Sequence, residues 1–139
     1  MSINKFNSEG YYDPTAYEAM SAVEKEEKAL RAFRPIVYIC SPNAGDVEKN
    51  VAAAQNYSRF AVDKGYIPVA PHLLFPQFLN DSNPKERQLG LFFGNALMSK
   101  CSEVWVFGDR ISSGMEAEIR RAKWKNYRLR YFTNTCEEV

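Results

Sequence analysis

Ile36-Val37-Tyr38-Ile39-Cys40-Ser41-Pro42-Asn43-Ala44-Gly45-Asp46 is the stretch that decides the fold. Its first five residues are apolar and rich in β-branching, without a polar break, which is the pattern of a strand buried on both faces. Ser41 to Gly45 form a turn cluster. Asp46 then caps a helix whose inward stripe is Val47, Val51, Ala54, Ser58 and Ala61, and which stops near Lys64-Gly65.

The same alternation continues downstream. Tyr66 to Ala70 reads as a second short strand, and Pro68 within it points to a sheet edge. Residues 71–83, with Pro71, His72, Phe75, Pro76 and Phe78, read as a long connection of the kind that forms lids. Pro84 opens a helix with Leu89, Phe92, Phe93, Ala96 and Leu97 at helical spacing. Val104 to Phe107 is a third strand, followed by the loop Gly108 to Gly114 and a helix from Met115 to about Lys125. Leu129 to Phe132 is the last strand. From residue 35 the order is β-α-β-α-β-α-β, which predicts an α/β fold with helices on both faces of a parallel sheet. A flavodoxin/Rossmann-like sheet of about four to five strands in the order 2-1-3-4 follows from right-handed crossovers.

Residues 1–34 stand apart as an N-terminal arm and helix. The arm, 1–12, is polar and aromatic. Asp13-Pro14-Thr15 marks a helix start. The helix runs to about Arg31 with Ala16, Met20, Val23 and Leu30 on one face. Residues 35–139 form the α/β domain.

A chain of 139 residues can bury a core without disulfides or a metal. Eighteen basic residues against seventeen acidic ones give a net charge of +1, which argues against a nucleic acid polymer as partner. A small anionic ligand stays open, because backbone amides can hold one without net charge. Cys40, Cys101 and Cys136 are odd in number and form no CxxC, as expected for a reducing, cytoplasmic compartment. No secretory h-region follows the first residue, and no apolar run nears the ~20 residues of a membrane span. His72 is the single histidine, with no second ligand at metal spacing, so neither a metal nor a cofactor is expected.

In an open parallel sheet the ligand site lies beyond the carboxyl ends of the strands, at the switch between the first and third. Two polar loops end those strands, Ser41 to Asp46 and Gly108 to Gly114, and each runs into a helix N-terminus, where free amides and the helix dipole favour an anion. Ser113-Gly114-Met115-Glu116 reads as a capping box. That leaves Glu118 unexplained, one turn into the helix. The dipole is expected to keep it ionised at neutral pH, which suits attack on an electrophilic carbon.

Tyr38-x-Cys40-Ser41-Pro42, together with the series Ser112, Gly114, Glu118, Ile119 and Ala122, resembles the two signatures of the nucleoside 2-deoxyribosyltransferase superfamily. From about Ile36 to Val139 the chain is similar to a branch of short bacterial and phage proteins related to it. The resemblance implies cleavage or exchange of the N-glycosidic bond of a (deoxy)nucleoside or its 5′-monophosphate, by a hydrolase or a transferase. Glu118 would be the nucleophile, with Tyr38 beside it. Ser41, Pro42, Asn43 and Gly45 would line the sugar or phosphate side, and Ser112, Ser113 and Gly114 would contact a 5′-phosphate. His72 in the lid could touch the ligand. Family members carry an Asp that assists the leaving base, and Asn95 stands at that position. Asn cannot act as a general acid, and Asp109 is the candidate substitute. The resemblance also implies a homo-oligomer, a dimer or tetramer.

Two other functions compete. One is a non-catalytic nucleotide-binding or sensing module on the same scaffold, which Asn95 favours. The other is an interaction protein working through residues 1–34.

Overall fold

The computed structural model describes residues 14–32 and 34–139. The chain divides into two compact units, Met1–Arg34 and Pro35–Val139. In the first, α1 spans Pro14–Ala32, and its Met20 and Val23 are half exposed. The arm and the Asp13 cap, together with the side chains of Ala16 and Leu30, lie outside the described residues.

In the second unit the elements follow as β1 (Ile36–Cys40), α2 (Val47–Asp63), β2 (Ile67–Val69), α3 (Pro71–Leu74), a 3-10 turn (Phe75–Gln77), α4 (Pro84–Met98), β3 (Glu103–Phe107), α5 (Ser113–Trp124) and β4 (Arg128–Phe132). Among the described residues four strands make one parallel sheet, ordered β2-β1-β3-β4. This is the α/β, Rossmann-like topology expected from the alternation of elements. Pro68 does sit in an edge strand, where its missing amide hydrogen leaves the inner ladder intact. The connection after β2 is more ordered than a loop, because Pro71 and Pro76 each open a helical turn.

β1 and β3 are central, and their alternating side chains make two cores. Val37, Ile39, Trp105 and Phe107 face α2, with Tyr57, Ala61 and Phe132 completing that layer. Trp105 and Phe132 lie 4.9 Å apart, and Phe107 stacks on Tyr57 at 4.3 Å. Tyr38, Cys40, Val104 and Val106 face the other way, onto Met98 of α4 and Met115, Ile119 and Ala122 of α5.

Two helices turn a different face inward from the one their apolar spacing suggests. α2 buries Ala54, Tyr57 and Ala61 and leaves Val47 exposed. α4 buries Gly94 and Met98, while Leu89, Leu91 and Phe92 stay exposed. The cause in α4 is close approach: a Cβ on Gly94 would lie 3.5 Å from the Tyr38 hydroxyl, so the helix packs through its smallest residue.

The two tryptophans give a stability test. Trp105 is 1% exposed and Trp124 is 75% exposed. In urea unfolding, Trp105→Ala is expected to lose ~3–5 kcal/mol and Trp124→Ala less than ~1 kcal/mol. Equal losses would contradict the packing described above.

Candidate functional site

The site is built on the carboxyl end of β1. Strand alternation sends Tyr38 and Cys40 to the same face, two residues apart, toward α5. α5 presents Glu118 from one side of its buried Met115–Ile119–Ala122 stripe. The carboxyl group is largely withdrawn from water, and burial pushes it up to about 7. The Tyr38 hydroxyl and the Cys40 thiol beside it pull the other way. Burial raises Tyr38 and Cys40 well above their ordinary values, and the neighbouring Glu118 raises them further, so both remain protonated donors.

The expectation that Glu118 stays ionised at neutral pH is therefore corrected. Glu118 is the sixth residue of α5, and the helix dipole acts mainly within the first turn. Desolvation outweighs it, leaving the carboxyl poised near neutrality. The capping box is corrected as well. Ser112, not Ser113, is the N-cap, its Oγ accepting from the Met115 amide at 3.3 Å, and the Glu116 amide bonds the Ser112 carbonyl at 2.9 Å. Glu116 thus falls one position too late to close a box. Ser113 and Gly114 are the first two helical residues, and the capping bonds leave their amides free.

At α2 the Asp46 carboxylate accepts from the Lys49 amide at 3.1 Å, and Asn50 donates to the Ala44 carbonyl at 2.9 Å. Gly45 and Gly108 turn their loops at φ +97° and +111°, in the region that favours glycine. Asn43 and Gly45 are exposed, and Pro42 is half-buried.

Ser41 is buried, and its Oγ lies 3.0 Å from Nε2 of His72. This bond ties α3 to the end of β1, and burial lowers His72 below its ordinary value. The structure thus joins Tyr38, Cys40 and Glu118 in one contact, and Ser41 and His72 in a second, just past the end of β1. Asn95 is half-buried on α4 beside Gly94 and is not among the groups acting on Glu118. Asp109 is exposed, and its charge acts on Tyr57 in the opposite core layer. A hollow lined by Asn80, Ser82, Asn83, Pro84 and Lys85 opens ahead of α4 and contains none of these groups.

Sequence reasoning treated Cys40 as a small core hydrophobe and missed its contact with Glu118. The signal was its spacing, two residues from Tyr38 in a strand. The Nε of Arg121 on α5 is buried without a partner among the described residues. No metal-binding cluster of His, Cys, Asp or Glu occurs among the described residues. None of the helices described is long and apolar enough to cross a membrane.

A doubly wound α/β domain with an under-neutralised carboxyl at the end of its central strand is the class these features define. Within that class the chain belongs to the family described as Domain of unknown function (DUF7768), whose family model matches residues 35–132. No curated protein and no solved structure matches it.

Holding a carboxyl at about 7 rather than 4.5 favours the fold while the group is protonated. That contribution is fully present below pH 4.5 and is lost as pH rises through 7. The difference is on the order of 3 kcal/mol. Glu118→Gln is therefore expected to match the wild type in urea unfolding near pH 4.5 and to exceed it by up to that amount at pH 8. Parallel stability curves for the two proteins would show that Glu118 is not desolvated.

Proposed function

We propose that the domain cleaves or exchanges the N-glycosidic bond of a (deoxy)nucleoside or its 5′-monophosphate, through a covalent glycosyl–Glu118 intermediate. The observation that carries this is the Glu118 carboxyl, withdrawn from water against Tyr38 and Cys40 at the carboxyl end of a central strand. A carboxylate stripped of water is a more reactive nucleophile than a solvated one, and the Tyr38 hydroxyl fixes its orientation. Ligands of doubly wound sheets bind where β1 and β3 end. The free amides of Ser113 and Gly114 suit a 5′-phosphate there. The signature residues Ser112, Gly114, Glu118, Ile119 and Ala122 fall on one loop and helix, consistent with the resemblance to nucleoside 2-deoxyribosyltransferases.

Three free thiols, Cys40, Cys101 and Cys136, fit a cytoplasmic setting. Exposed Leu89, Leu91 and Phe92 on α4 fit assembly into a homo-oligomer. The second reading is a nucleotide-binding or sensing module without turnover. It is favoured by Asn95 in place of an acid and by Asp109 lying toward Tyr57.

Chromatography of products from a panel of nucleosides and 5′-monophosphates, with and without an acceptor base, decides between them. The wild type is expected to release free base, at a rate that rises with pH through about 7 as Glu118 ionises. Glu118→Ala is expected to lose at least ~100-fold of that activity. Tight binding of a nucleotide without release of base from any substrate would establish the sensing module instead.

A further inference from the structure

The stretch from Arg120 to Arg130 carries six cations in eleven residues, and no Asp or Glu occurs between Glu118 and Glu137. Acids elsewhere in the chain offset this run, so the net charge of +1 conceals it. The fold neutralises its far end. Arg130 lies 3.3 Å from Glu103 and 2.8 Å from Glu138, and the charge of Arg128 acts on the same two acids. The other four cations, Arg120, Arg121, Lys123 and Lys125, enter no ion pair among the described residues. Glu116 is exposed on the same helix four residues before Arg120, and it does not pair with it either.

Trp124 stands among these four. α5 buries Met115, Ile119 and Ala122, and the 3.6-residue period turns position 124 to the opposite side, where the indole is 75% exposed. Core packing therefore does not account for this side chain. Lys125 Nζ lies 4.9 Å and the Arg121 guanidinium 5.8 Å from the centroid of its ring. The Nε of Arg121 is buried, so the stem packs down while the charged head reaches the indole. Cations so placed are attracted to the ring and hold it in a fixed setting.

We propose that the carboxyl-terminal half of α5 binds single-stranded nucleic acid, with Trp124 stacking on a base and Arg120, Arg121, Lys123 and Lys125 meeting the phosphates around it. The inference is independent of the glycosidic reading. Four unpaired cations call for a polyanion, and the exposed indole selects among polyanions. An acidic peptide supplies charge but no flat ring to cover Trp124. An anionic membrane surface asks for an apolar stripe beside the cations, whereas the residues one turn before Trp124 are Arg120 and Arg121. A duplex keeps its bases stacked inside. An unpaired strand offers phosphates and the face of a base together, and every base has such a face, so no sequence preference is required.

Fluorescence anisotropy of the full chain with a labelled oligothymidylate of about twelve nucleotides provides the test. The logarithm of the binding constant is expected to fall with the logarithm of salt concentration with a slope of about −2 to −3, at ~−0.7 for each phosphate engaged. Lys123→Gln is expected to flatten that slope by ~0.7. Trp124→Ala is expected to bind ~10-fold more weakly and Trp124→Phe to recover part of the loss. Indole emission is expected to be quenched by the strand in the wild type and not in Trp124→Ala, where the buried Trp105 remains as the reference. The same titrations are run with a duplex of equal length, with oligoglutamate and with vesicles containing phosphatidylserine. Binding of oligoglutamate or vesicles as tight as binding of the strand would assign the face to an acidic peptide or a membrane. Equal binding of the duplex, or affinity for the strand unchanged by Trp124→Ala, would remove the stacked base. Each of these outcomes, and absence of binding to the strand, overturns the proposal.

Discussion

The alternation of β1 between two buried faces is the constraint on which the rest of the domain depends. A strand in the middle of a parallel sheet has no solvent side, so each of its residues must suit one layer or the other. Val37 and Ile39 are spent on the aromatic layer under α2, leaving Tyr38 and Cys40 for the layer under α4 and α5. That second layer is where polar groups are tolerated, because α4 approaches on Gly94 and leaves room for a hydroxyl. A shift of β1 by one residue would exchange the two sets, burying the Tyr38 hydroxyl among aromatic rings and leaving Glu118 without donors.

Two carboxyls of the domain show how differently burial can be compensated. Glu103 is 7% exposed at the amino end of β3. Burial pushes it up, yet Trp105, Tyr66 and Arg130 all donate to it and carry it below the ordinary range. The Arg130 guanidinium also grips Glu138 at 2.8 Å, so this carboxylate helps fasten the end of the chain to β4. Glu118 has only a hydroxyl and a weak thiol donor and stays near 7. A fold able to neutralise one buried carboxyl so thoroughly leaves the other exposed to desolvation at the strand ends. Such under-compensation is what a reactive group needs and what stability alone would remove.

The sheet was legible in the sequence because β-branched runs, turn clusters and helix caps repeat in one order. Asp46 and Pro84 mark their helix starts correctly. The inward faces of α2 and α4 were less legible, since hydrophobic spacing rewards large side chains while these helices pack through Ala54, Ala61 and Gly94. Glu118 and Tyr38 stood out by position, but the balance between dipole and burial depends on how deep α5 seats its second turn, which spacing does not encode. Cys40, whose only signal was its spacing from Tyr38, and the Ser41–His72 bond were harder to read for a related reason. A cysteine in an apolar run looks like core, and a lone histidine 31 residues from its partner has no local pattern.

The end of β1 sends its contacts to two sides. Cys40 faces the layer under α4 and α5 and meets Glu118, whereas Ser41, just past the strand, holds the ring of His72 from α3. Burial raises Glu118 and lowers His72, and no charged group acts on the imidazole. Both shifts favour the neutral form, which is what withdrawal from water does to an acid and to a base alike. Asn95, half-buried on α4, adds an amide that carries no charge. Polar side chains at the strand end are thus withdrawn from water and kept short of charge.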